Sequence, residues 1–135
     1  MDGLIAVIGI GIVVTAALYL FALGGAALVR PELAQRFLGG HATTPRLHFT
    51  ELGLRVLIGA ALVLTAPRMA FGPGIATFGA ILIVTSLALA LVPWRFHQRF
   101  AAWSVPQATR NMPLLGVASI AGGMALLAAL VLPRA

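Results

Sequence analysis

Four long stretches of this chain carry almost no polar side chain, and Pro and Arg stand at their edges. Gly3–Val29 ends at Arg30-Pro31, Leu47–Ala66 at Pro67-Arg68, Gly74–Val92 at Pro93, and Pro113–Leu132 at Pro133-Arg134. A helix needs about 20 apolar residues to cross the hydrocarbon of a bilayer, and each run meets that length. Spans over about 3–29, 47–66, 74–92 and 113–132 therefore predict an all-α integral membrane protein. Residues 1–135 form one four-helix membrane domain, because little remains outside the spans except two connections and one tight turn. The first span differs from a secretory leader, since Met1-Asp2-Gly3 brings no positive charge and the apolar run is long.

Composition agrees with lipid as the main solvent. Of 135 residues, 61% are hydrophobic and 9% are charged, where a soluble domain carries about 25% charged residues. The net charge of +6 comes from nine Arg against Asp2, Glu32 and Glu51. These arginines sit at span ends rather than in a solvated basic domain, which argues against nucleic acid and for anionic headgroups. The first connection holds Arg30, Arg36 and Arg46, with Arg55 just inside the next span, and the third holds Arg95, Arg99 and Arg110. Only Arg68 and Arg134 fall on the other side. Positive residues stay cytoplasmic, so both ends of the chain are expected to face the opposite side, the periplasm in a bacterium.

A shift of 63 residues aligns the two halves, about 1–67 and 68–135. Gln35-Arg36-Phe37 falls on Gln98-Arg99-Phe100, Gly53 on Gly116 and Gly59 on Gly122. Two spans per half give both halves the same orientation, a parallel repeat of helical hairpins. The order Pro93, Arg99, Pro106, Arg110, Gly116, Gly122 resembles a family of small two-span bacterial inner-membrane hairpins, and the first half resembles it more loosely. The resemblance implies a bacterial inner-membrane setting and helical hairpins, and implies no activity.

Each basic connection predicts a helix in the headgroup plane. After Pro93, residues Phe96, Phe100 and Trp103 fall on one arc, with Trp94 nearby and Arg95 and Arg99 on the flank, until Pro106 breaks the helix. A shorter version follows Pro31, with Leu33 and Phe37 on one face and Arg36 beside them. These residues serve either as an interfacial anchor or as a contact for lipid or a partner subunit.

One polar stripe enters an apolar span. Thr44-Pro45 starts the second helix, and His48, Glu51 and Arg55 then share a face. Arg55 lies about 15 Å along that helix, where a charge costs about 2.5–3.5 kcal/mol. It must snorkel to the basic side or pair inside the protein, and Glu51 at i−4 is the expected partner. A structural ion pair, a partner or lipid contact, and a proton or substrate relay are the three roles the stripe allows. A relay needs a trail of polar groups, and only Thr15, Tyr19, Thr77, Thr85 and Ser86 extend it.

No nucleophile or paired carboxylate suggests an enzyme. The three histidines, His41, His48 and His97, stand near one edge, which disfavours a mid-membrane haem, and no Cys or Asp joins them around a metal. No cofactor or metal is expected. Small residues at Gly9, Gly11, Gly24, Gly25, Gly116, Ser119 and Gly123 mark places for close helix approach. The sequence thus points to a non-enzymatic accessory, structural or assembly subunit of an inner-membrane complex, in contact with lipid and with partner subunits or its own copies. The alternative is a small oligomeric transporter or channel that uses His48, Glu51 and Arg55.

Overall fold

A computed structural model describes residues 2–40 and 43–134. His41, one of the histidines weighed above, lies outside the described residues. The described chain is helical, in the order α1 (Asp2–Val29), α2 (Pro31–Gly39), α3 (Pro45–Thr65), α4 (Gly72–Leu91), α5 (Trp94–Thr109) and α6 (Met112–Val131). Four helices are long and apolar enough to cross a membrane: Asp2–Val29, Pro45–Arg68, Gly72–Leu91 and Met112–Val131. They match the four apolar runs to within a few residues.

Local chemistry sets the helix starts. The Thr44 hydroxyl accepts the Leu47 N–H at 3.2 Å and Pro45 supplies the first helical φ of α3. Asn111 does the same for α6, accepting the Leu114 N–H at 3.4 Å. Pro93 precedes α5 as expected, but Pro106 does not end it. The helix runs on to Thr109, and the Arg110 N–H still reaches the Pro106 carbonyl at 3.1 Å. Proline removes a single N–H, and its neighbour Ala102 is exposed, so the freed carbonyl can be solvated at an interface.

The four spans form a row, α6–α1–α3–α4, in which α1 packs on α6, α3 on α4, and α1 on α3. Each half of the chain supplies a span, a shorter helix and a span, yet the tightest α1 contact is with α6 of the other half. Glycine decides these pairings. A Cβ at Gly59 would stand 2.8 Å from the Gly79 carbonyl oxygen, and one at Gly24 would stand 2.8 Å from that of Gly116. Backbones touch there, which only a missing side chain permits. The glycines aligned between the halves are not used alike: Gly53 meets nothing, whereas Gly116 is pressed against Leu28.

The end of the bundle away from α2 and α5 is closed by a hydrogen bond between elements. Pro133 has no N–H, so the Ala129 carbonyl lacks its usual helical donor. The Ala70 N–H, from the turn between α3 and α4, fills it at 2.7 Å. Val13, Ala61, Leu62, Met69 and Ala129 form the apolar core beneath that turn. With an even number of crossings, α2 and α5 fall at the opposite end, where they touch each other.

Candidate functional site

The polar stripe of α3 resolves into two separate ties to other helices. Arg55 turns away from Glu51 and toward α4, where Nε donates to Ser86 Oγ at 3.1 Å and Nη2 to Thr85 Oγ1 at 3.2 Å. No ion pair forms among the described residues, so the expected Glu51–Arg55 bridge is replaced by hydroxyl contacts. The reason lies in geometry. Gly59 and Gly79 bring α3 and α4 together one turn beyond Arg55, which sets Ser86 and Thr85 beside the guanidinium. Both hydroxyls also donate back to their own helix, Thr85 to Ile81 O at 2.7 Å and Ser86 to Leu82 O at 2.6 Å. Their lone pairs are thereby left for Arg55.

His48 makes the second tie. Its side chain is fully buried, and its Nδ1 lies 2.6 Å from Nδ1 of His97 on α5. His97 is 7% exposed and presents an imidazole from the inner face of α5. One of the two nitrogens must carry a hydrogen and the other a lone pair. His48 Nε2 is buried without a hydrogen-bond partner. A stranded N–H is dearer than a stranded lone pair, so His48 donates through Nδ1 and keeps the lone pair at Nε2. His97 then accepts.

Glu51 stands one turn beyond His48, and its Oε2 is likewise buried without a hydrogen-bond partner. Tyr19 of α1 packs its ring on Phe37 of α2 with centroids 6.1 Å apart, and α1 itself packs on α3. Parts of α1, α3 and α5 thus converge behind the basic connections.

The aromatic and arginine residues grouped on α5 and α2 are placed as follows. Phe96, Phe100 and Trp103 are exposed along one side of α5, and Phe100 and Trp103 lie with ring centroids 6.1 Å apart. Arg99 sits over the Phe96 ring at 5.9 Å, a cation–π contact. Arg95 and Arg36 are exposed, Trp94 is partly covered, and Phe37 is half exposed against Tyr19. What the sequence reading missed is His97. Its signal was position: it lies about 100° around the helix from Phe96, off the aromatic arc and on the side of Ala101 and Ser104. A histidine beside small residues marks the face that packs inward.

Two concavities open at this end. One of about 280 Å³ lies between α2 and α5, lined by Leu38, Thr43, Gln98 and Ala102 among others. The other, about 260 Å³, lies between α1 and α2, lined by Tyr19, Leu23, Leu33 and Phe37 among others. His48, Glu51 and Arg55 line neither. Comparison of the chain with protein-family models, with curated proteins and with solved structures returns no match.

Proposed function

We propose that this chain is a small non-enzymatic membrane protein that serves as an accessory, structural or assembly subunit of a larger bacterial inner-membrane complex. The observation that carries this reading is the use made of the polar stripe: Arg55 is spent on Ser86 and Thr85, and His48 on His97. These bonds hold helices to one another, and the stripe opens into neither concavity. A row of four helices, unlike a closed bundle, also leaves both flanks of α4 and α6 available to lipid or to neighbouring subunits.

Native electrophoresis of a tagged chain, extracted in mild detergent from its own cells, tests the proposal. Migration with other membrane proteins in a large complex is the expected result. A discrete homo-oligomer that drives proton-coupled uptake in liposomes would sink it and favour the alternative, a small transporter or channel using His48, Glu51 and Arg55. The two buried acceptors without partners, His48 Nε2 and Glu51 Oε2, are what favours that alternative.

The orientation belongs to the same proposal, with α2 and α5 on the cytoplasmic side. Reporter fusions after Ala70 and after Trp103 should read periplasmic and cytoplasmic respectively. A cytoplasmic signal at Ala70 would reverse the assignment.

A further inference from the structure

The bond between His48 and His97 has a chemical property that Arg55 and its hydroxyls lack, because imidazole gains a proton within the physiological pH range. An Nδ1 to Nδ1 separation of 2.6 Å requires a lone pair on one ring. Two imidazolium rings cannot make this bond: each Nδ1 would carry a hydrogen, and two like charges would meet in a buried site. His48, in turn, has a place for an added proton, since its buried Nε2 has a lone pair and no donor.

We propose that His48 and His97 form a proton-binding latch that holds α5 against α3 near neutral pH and releases it when both rings are protonated. The sign follows from proton counting. The latched pair keeps one Nδ1 unprotonated as the acceptor of the bond, and the released pair binds more protons, so docking is full at higher pH and lost as pH falls. Among the described residues, the charged and titratable groups on the elements packed against the pair include these. Glu51 and Arg55 share α3 with His48, and Arg55 is turned to α4, which offers only the Thr85 and Ser86 hydroxyls. Tyr19 stands on α1, which packs on α3. Arg95 and Arg99 of α5, and Glu32 and Arg36 of α2, are exposed. The latch stands whether or not the chain joins a larger complex.

The chain supplies its own probe, because its two tryptophans, Trp94 and Trp103, both belong to α5. The full chain in phosphatidylcholine nanodiscs is followed by tryptophan emission and aqueous quenching from about pH 8 to about pH 5. The wild-type protein should show a reversible transition, with emission shifted and quenching altered as α5 leaves the spans. In His97→Asn the side-chain oxygen takes the place of Nδ1, accepts from His48 and does not titrate. That variant should keep the high-pH signal throughout. His97→Ala should show the released signal at every pH. A flat wild-type profile, or a wild-type transition in His97→Asn, would overturn the proposal. Should His97→Ala fail to fold, His97→Asn still decides the matter.

Discussion

Gly59→Val is expected to lose the α3–α4 interface, at a cost near or above the top of the range of about 1–3 kcal/mol typical of overpacking. The first added atom alone would meet the Gly79 carbonyl oxygen at 2.8 Å and the Ile83 side chain at 2.8 Å. The carbonyl belongs to a helix backbone and cannot turn aside, so the two helices must separate. Separation would also strip Arg55 of Ser86 and Thr85, which the same approach holds in place. Gly53, on the same helix, is the internal control. A Cβ there meets nothing within 4 Å. Gly53→Ala should be neutral or gain the roughly 0.8–1 kcal/mol by which alanine exceeds glycine in a helix. Thermal unfolding in detergent, followed by circular dichroism, separates the two. Equal effects at Gly59 and Gly53 would contradict the packing described.

The second large effect concerns the hydroxyl tie, and it is asymmetric. Removing the acceptors in Thr85→Val with Ser86→Ala leaves a guanidinium in the membrane without its partners. The expected loss is about 1.5–3 kcal/mol for each bond to the charged group. Removing the donor is gentler. In Arg55→Met both hydroxyls keep their bonds to Ile81 and Leu82. The substitution also deletes a charge whose insertion costs about 2.5–3.5 kcal/mol. Arg55→Met should therefore stay within about 1 kcal/mol of the wild type. A strongly destabilised Arg55→Met beside a tolerated double hydroxyl variant would reverse this account.

These expectations show which parts of the fold were legible in the sequence. The spans were, since a bilayer imposes a length on any apolar run and Pro or Arg marks its edges. The helix α5 was also legible, because Phe96, Phe100 and Trp103 recur at helical spacing beside Arg95 and Arg99. The pairing of spans was not. Lipid-exposed helices are apolar all round, so no stripe says which face is inside. Gly116, Ser119 and Gly123 did mark the face of α6 that is buried, but nothing in their spacing names α1 as the partner. Pro106 misled because a proline rule for helix interiors is weaker within a turn of the helix end.

The site was half legible for a related reason. His48, Glu51 and Arg55 stand out as polar residues in an apolar span, and the sequence offers each only the partners on its own helix. The i,i+4 rule therefore nominated Glu51 for Arg55. The actual partners, Ser86 and His97, lie 31 and 49 residues away. They are reached only after the glycine contacts have set the helices side by side.

A pair of double-mutant cycles in one detergent tests most directly whether the stripe ties helices together. One cycle couples Arg55→Met with Ser86→Ala, and the other couples Arg55→Met with Glu51→Gln. The account predicts a coupling of about 1.5–3 kcal/mol in the first and none measurable in the second. Strong coupling between Glu51 and Arg55, with none between Arg55 and Ser86, would contradict it.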